Sequence, residues 1–420
     1  MFVLPRRKHV RLKETWYFTG PVNRDAVSGL GFYATMNMRI CFISHYSGKG
    51  GAERALLETI DALGNLGIES LVMLPHKGPL CEELKNRGIS FSILPYRWWM
   101  NWKGTPEWKK WKDLILTLAA IFPLVLIIRR WKCDLIYTNT LTICIGAIAA
   151  RLLRVPHVWH IHEFFGESEN NLLFTLGTRF SLKMLDRFSS LCIANSKAAA
   201  RKYERYVRPG KIIPIYQSVT ATGAGPSAGI KNNVFRCVIA GTVCELKGQE
   251  DAVRAISDLA AGGRTGFVLD IIGQGDERYF NYLKSIAREY RVEKYVQFHG
   301  YMENVFSYIR TADVVLVCSR SEAFGRVTVE GMLAGKPVIG AACAGTAELI
   351  NDGFNGLLYK AGEHRELAEK IYYLRTNPGH AANMGRCGRN WAQRTFSSES
   401  YGRRLLAAIA PLVKKDRPRK

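Results

Sequence analysis

From residue 38 onward the chain repeats one pattern: a short apolar run, a polar or glycine break, then a stretch in which apolar residues recur every three or four positions. The short runs at 39–44, 69–74, 90–94, 134–138, 157–162 and 191–195 read as strands, and the periodic stretch 52–66 reads as a helix. Short apolar strands alternating with helices are what a parallel sheet with crossover connections requires. A second series follows, with strands at 236–240, 266–272, 295–299, 314–318, 337–340 and 356–359 and helices at 249–261, 277–290 and 328–334. The prediction is an α/β protein with two Rossmann-like domains facing across a cleft, where the carboxyl ends of both sheets offer the default ligand site.

Residues 220–229, rich in Gly, Ser, Pro and Ala, separate the two series as a linker. The predicted division is an extension over 1–37, a first domain over 38–219, a second over 220–396, a helix over 397–413 crossing back to the first domain, and a basic tail over 414–420. The extension shows no strand or helix period, and Met36 and Met38 stand just before the first strand, so it is expected to be poorly ordered or untranslated. It also lacks the apolar core that follows the basic residues of a secretory signal, which places the protein in the cytoplasm as an expectation.

Composition changes the picture through charge. Hydrophobic residues at 47 % and charged residues at 23 % are ordinary for a globular protein, but 59 Lys plus Arg against 36 Asp plus Glu leave a formal +23 that calls for a polyanionic ligand. Nucleic acid is disfavoured, because no zinc finger, helix-turn-helix or aromatic-interleaved RNA motif accompanies the basic residues. Phosphorylated ligands and an anionic membrane surface remain. The ten cysteines form no C-x-x-C pair and fall mostly in apolar runs, which suits reduced, buried thiols. No D-x-D pair and no third ligand at recognisable spacing accompany the histidines, so no metal is expected.

Candidate chemistry concentrates at 321–348. Glu322 and Glu330 bracket Phe324, Gly325, Arg326 and Val327 where a strand gives way to a helix. The unpaired backbone amides of a helix start, with their partial positive charge, suit a diphosphate, and Gly325 lets a phosphate or sugar approach the backbone. Bare of context, two such glutamates are solvated surface carboxylates. The preceding strand, the turn at Gly335, Lys336 and Pro337, and Gly345 with Glu348 supply the context.

With these residues in place, the sequence resembles the retaining glycosyltransferases of family 4 (glycosyl transferases group 1), which have the GT-B fold. The resemblance runs from about 38 to 413. It implies that Glu330 binds the ribose, that Glu322 with the amides of Phe324 and Gly325 holds the donor sugar, and that Lys247 contacts the pyrophosphate and steadies the leaving group. Thr242 stands where many members carry an arginine, and Arg326 is expected to replace that contact. The resemblance further implies that Gly50 and Gly51 admit the diphosphate and acceptor, that His162, with Glu163 beside it, touches the transferred sugar or acceptor, that Gly273 belongs to a loop at the donor site, and that Gly300 and Tyr301 lie near the base. His160, on the same side of its strand, reads as structural. The implied co-substrate is a nucleoside-diphosphate sugar, with no other cofactor, and the expected acceptor is a lipid-linked or growing envelope polysaccharide.

Trp98, Trp99, Trp102, Trp108 and Trp111, interleaved with basic residues, read as acceptor or membrane contacts, consistent with a peripheral protein at the inner face of the cell membrane. The apolar run 114–128 contains Pro123 and is short for a spanning helix, leaving a lipid contact or a buried crossover helix equally open. Two other functions remain: a nucleotide-sugar epimerase of the same fold, and a catalytically silent, membrane-bound nucleotide-sugar-binding subunit.

Overall fold

The computed structural model of the chain describes residues 38–166, 171–221 and 234–413. The expected extension and basic tail, and most of the linker, lie outside the described residues. The first domain is a seven-stranded parallel sheet in the order β3-β2-β1-β5-β6-β8-β9. Its strands are β1 (Arg39–Ile43), β2 (Glu69–Leu74), β3 (Ser90–Ile93), β5 (Leu135–Asn139), β6 (His157–Ile161), β8 (Leu191–Ala194) and β9 (Ile212–Pro214). Its helices are α1 (Gly51–Gly64), α2 (Pro79–Asn86), α3 (Glu107–Trp131), α4 (Ile145–Leu153), α5 (Thr178–Phe188) and α6 (Lys197–Glu204). Two short strands, β4 (Met100–Trp102) and β7 (Leu172–Phe174), pair antiparallel beside the sheet, with Trp102 opposite Leu172.

The second domain is a six-stranded parallel sheet in the order β12-β11-β10-β13-β14-β15. Its elements are β10 (Phe235–Ala240), α7 (Gln249–Ala261), β11 (Phe267–Ile272), α8 (Glu277–Glu289), β12 (Val296–Gly300), α9 (Val305–Thr311), β13 (Val314–Val317), α10 (Arg326–Leu333), β14 (Val338–Ala341), α11 (Ala344–Leu349), β15 (Leu357–Tyr359), α12 (His364–Thr376) and α13 (Pro378–Thr395). The strand order reverses between β1 and β5 in the first domain and between β10 and β13 in the second, and these two switch points face each other.

The last helix, α14 (Ser398–Ile409), packs on α1 of the first domain, so closely that a side chain at Gly402 would meet the Ala62 carbonyl at 2.7 Å. Tyr216, at the end of the first domain, sets its ring against Phe324 and Phe396, and Val219 N donates to Phe396 O at 3.2 Å. The chain therefore crosses between the domains twice, and Val219 and Phe396 join the two crossings.

Helix α3 is the element whose sequence left two readings open. It runs unbroken through Pro123, because Thr117, Ala120, Leu124 and Ile128 form one stripe buried against the first sheet, and that packing carries the helix across the missing hydrogen bond. Its opposite face is exposed. One of the five tryptophans also departs from expectation: Trp99 is buried, stacked on Trp159 at 5.8 Å and donating to the Leu141 carbonyl at 2.7 Å, so its ring is core and offers nothing to lipid or acceptor. None of the ten cysteines is in a disulfide, and seven of them are buried.

Candidate active site in the interdomain cleft

The second-domain wall of the cleft is built by close backbone approaches. Gly241 and Gly273 both have positive φ, and a side chain at Gly273 would sit 1.8 Å from the Gly241 carbonyl. Only glycine lets the loops after β10 and β11 meet in this way. Gly248, at φ 63, likewise seats the loop carrying Lys247 against the Cys318 carbonyl at the end of β13. Gly273 and Gly300 thus shape this wall, with Gly273 N donating to Gly300 O at 2.8 Å, while neither lines the cavity itself.

On that scaffold Lys247 Nζ donates to Glu322 Oε2 at 2.5 Å, and Ser319 Oγ donates to the same oxygen at 3.1 Å. Burial would lower the ammonium's pKa, but the Glu322 carboxylate outweighs it and holds Lys247 above its usual value. The lysine is charged at any physiological pH. Behind Glu322, Gly345 N donates to the Glu322 carbonyl at 2.8 Å, locking the loop that enters α10. Gly325, at φ 94, turns the chain so that α10 begins at Arg326, and Arg326 and Val327 at the helix start line the cavity. Phe324, Gly325, Arg326, Val327 and Thr242 all line the same cavity of about 440 Å³ as Lys247 and Glu322.

Glu330, one turn into α10, and Tyr301 line an adjoining cavity, and Arg326 borders both. Arg326 holds Glu58 of α1 through two bonds, Nη1 to Oε2 at 2.6 Å and Nη2 to Oε1 at 3.0 Å, with Glu330 Oε1 at 3.9 Å. Burial alone would lower its pKa; the Glu58 carboxylate reverses this and raises it. Lys49 and Glu303 form a second ion pair across the cleft at 2.9 Å. Glu58 was not singled out in the sequence. Its signal was position, since it lies two helical turns beyond Gly51 and so on the same side of α1. Glu348 turns away from the cavity: its Oε2 accepts from Lys197 N at 3.0 Å and Tyr216 Oη at 3.2 Å, tying α11 to the first domain.

The first-domain wall of this cavity is lined mostly by neutral groups, with Glu163 among them. Gly51 lines the cavity at the start of α1, 3.8 Å from Arg326 Cδ as measured from where a side chain would begin, while Gly50 caps that helix beside it and lies outside the cavity lining. His162 follows β6, its Nε2 2.8 Å from Asn139 Oδ1. Asn139 Nδ2 donates to the Ala52 carbonyl at 3.0 Å, so its oxygen faces the imidazole. In the neutral ring Nε2 therefore carries the proton and Nδ1 is an acceptor. Burial, then the neighbouring His160 and His45, pushes the His162 pKa well below the usual range and keeps it neutral. Glu163 accepts from Leu141 N at 2.5 Å and His162 N at 3.1 Å, and burial lifts its pKa to about 7. His160 is fully buried and bonded to Tyr137 Oη at 2.8 Å.

Trp98 and Trp102 line the cavity on this wall, Trp98 donating to the His45 carbonyl at 2.9 Å. Trp108 and Trp111 lie on α3, outside the cavity lining. Asn139 and His45, like Glu58, entered the site through the fold alone. Among the described residues no group of three His, Cys, Asp or Glu side chains assembles as a metal site.

Known proteins match this arrangement along the chain. The family model described as Glycosyltransferase Family 4 matches residues 49–221, and that described as Glycosyl transferases group 1 matches 226–391. An uncharacterised glycosyltransferase of Methanocaldococcus jannaschii is 27 % identical over 258 residues, 61 % of this chain and 68 % of that protein. The 2-deoxystreptamine glucosyltransferase of Streptomyces kanamyceticus is 24 % identical over 323 residues, covering 71 % and 83 % of the two chains. Among solved structures, Anabaena HepE in complex with UDP-glucose superposes with a TM-score of 0.74 at 24 % identity, covering 89 % of this chain and all of that one. With two sheets facing across one cleft and matching family models on both sides of it, the chain is a GT-B glycosyltransferase of the family 4 type.

Proposed function

We propose that the protein transfers a sugar, with retention of anomeric configuration, from a nucleoside-diphosphate donor to a lipid-linked or growing envelope polysaccharide acceptor. The observation that carries this reading is the Lys247–Glu322 pair at the foot of α10. A diphosphate arriving there takes over the ammonium and gains the first amides of α10, and Glu322 is released to accept hydrogen bonds from sugar hydroxyls. Glu330 takes the ribose. Arg326, already between the two cavities, turns from Glu58 to a phosphate oxygen and replaces the cation missing at Thr242.

In the transfer step the bond from the anomeric carbon to the diphosphate oxygen breaks with its electron pair going to the diphosphate. The acceptor hydroxyl forms its bond on the same face, and its proton passes to the departing oxygen. Positioning and electrostatic stabilisation by Lys247 and the helix amides supply the rate, so no protein nucleophile and no metal are needed. His162, its neutral ring oriented by the Asn139 bond, meets a sugar or acceptor hydroxyl. HepE binds UDP-glucose on the same fold, which puts UDP-sugars first among donors to try.

The test is a thermal-shift screen of UDP-, GDP- and ADP-sugars, then turnover with membrane acceptors and NMR of the product anomer. One donor class should stabilise the protein and lose that effect in Glu330→Ala. No stabilisation by any donor would overturn the reading.

A further inference from the structure

The exposed face of α3 is the largest feature that the catalytic reading leaves unused. Along it Trp108, Trp111, Ile115, Leu118, Phe122 and Leu126 point outward, each at least 39 % exposed, at spacings of three and four that keep them on one stripe. The helix is apolar enough over its length to cross a bilayer. It is not free to do so, because Thr117, Ala120, Leu124 and Ile128 on its inner stripe are buried against the first sheet. A helix with one apolar face locked to its own domain and the other open to solvent lies in a surface plane.

Charge decides what the surface is. Between Glu107 and Lys132 there are six lysines and arginines against two carboxylates, and the cations cluster at the two ends: Lys109, Lys110 and Lys112 beside the tryptophans, Arg129, Arg130 and Lys132 at the other end. An apolar middle flanked by cations at both ends fits an anionic bilayer, with tryptophans and cations at headgroup depth and Leu118 and Phe122 below it. A second copy on this face would set those clusters against each other. The neighbouring helix α4 packs on α3 and adds exposed Leu152 between Arg151 and Arg154.

We infer that the outward face of α3 docks the protein in the plane of an anionic lipid surface, presenting the first-domain wall of the cleft to it. Helix α3 starts just after β4, whose Trp102 both lines the cavity and is 56 % exposed. Docking therefore brings the Trp98 and Trp102 side of the cavity beside the headgroups, where a lipid-linked acceptor would present its glycan. This deepens the proposed transfer to such an acceptor, but it is tested without donor or turnover, so the two fail separately.

The experiment is flotation of the full chain with neutral phosphatidylcholine vesicles and with vesicles containing phosphatidylglycerol. Binding should favour the anionic vesicles by about tenfold and weaken with salt. The double variant Leu118→Glu, Phe122→Glu should lose about tenfold or more of that binding, since both charges enter the apolar layer, with circular dichroism and the melting temperature unchanged. If that variant fails to fold, Trp108→Ala with Trp111→Ala reads the same face and should also weaken flotation. Wild-type protein that stays in solution with both vesicles, or a folded variant that floats as well as wild type, overturns the inference. So does a variant that dissolves a wild-type dimer in sedimentation velocity while no vesicle is bound, which would assign the face to a second copy.

Discussion

The two domains share one sheet topology and face each other, yet they hold polar groups at the cleft in opposite ways. The second domain sets its charges in pairs on a backbone pinned by Gly241, Gly248 and Gly273; Lys247 meets Glu322 at 2.5 Å. Two of its histidines behave alike, with His299 2.7 Å from Asp270 and His364 2.6 Å from Asp258, while His380 meets the Tyr373 hydroxyl at 2.6 Å. The first domain instead sets His157, His160 and His162 against the neutral side chains of Thr138, Tyr137 and Asn139. A diphosphate needs preset charge, whereas a sugar hydroxyl needs a neutral acceptor that does not attract the diphosphate away. The difference in surroundings is the one that the proposed donor and acceptor sides call for.

Acid should break this comparison most severely. Burial depresses His45 to about 4 and His157 and His160 to about 3, so their stabilisation is full above the unfolded value near 6.5 and is lost as pH falls toward the folded values. From pH 7.5 to 5 each costs roughly 2 kcal/mol. Glu163 acts the other way: its folded pKa of about 7 lies above the unfolded value, so it stabilises below pH 4.5 and loses that contribution as pH rises through 7. It returns roughly 2 kcal/mol over the same fall, leaving a net loss of about 4 kcal/mol. Urea unfolding at several pH values, read by first-domain tryptophans, should show that domain opening first; equal acid loss in both domains would contradict the contrast.

The next effect is on rate. On the proposed reading, Lys247→Ala removes the ammonium that meets the departing diphosphate and should lower kcat by about 10²- to 10³-fold at saturating donor, measured by nucleotide release. A change confined to KM would mean that the lysine only binds. Smaller again, Arg326→Ala should weaken donor binding about tenfold by calorimetry, with the far-ultraviolet spectrum unchanged, because one charged phosphate contact is lost. Unchanged affinity would leave Arg326 as no more than an interdomain tie to Glu58. The smallest change is expected in the first-domain wall: Trp102→Ala should raise acceptor KM roughly threefold with kcat held, since it removes uniform apolar contact.

Much of the fold was legible because its strands are apolar on both faces and helices such as α1, α7 and α8 run for 13 or 14 residues. The sites where reading failed are short or packed. β4, β7 and β9 have three residues each, too few for any period, and β4 with β7 exists only because the antiparallel pair closes over Trp99. Pro123 suggested a shorter element, and burial of Ala120, Leu124 and Ile128 carried the helix through it. The five tryptophans could not be told apart by composition. Trp99 went to the core, Trp98 and Trp102 to the cleft, and Trp108 and Trp111 to the open face of α3.

By itself the sequence determined the two α/β series, the strand-to-helix turn carrying Glu322, Gly325 and Glu330, and the lysine loop after β10. These are local: each follows from the period of apolar residues and from glycine at a turn. Only the tertiary structure decided the partners. Lys247 and Glu322 are 75 residues apart, Arg326 and Glu58 are 268 apart, and His162 finds Asn139 across a neighbouring strand. Such pairings depend on strand order and on how two domains close. Periodicity records which side of an element faces inward, and it holds no information about which other element will be there.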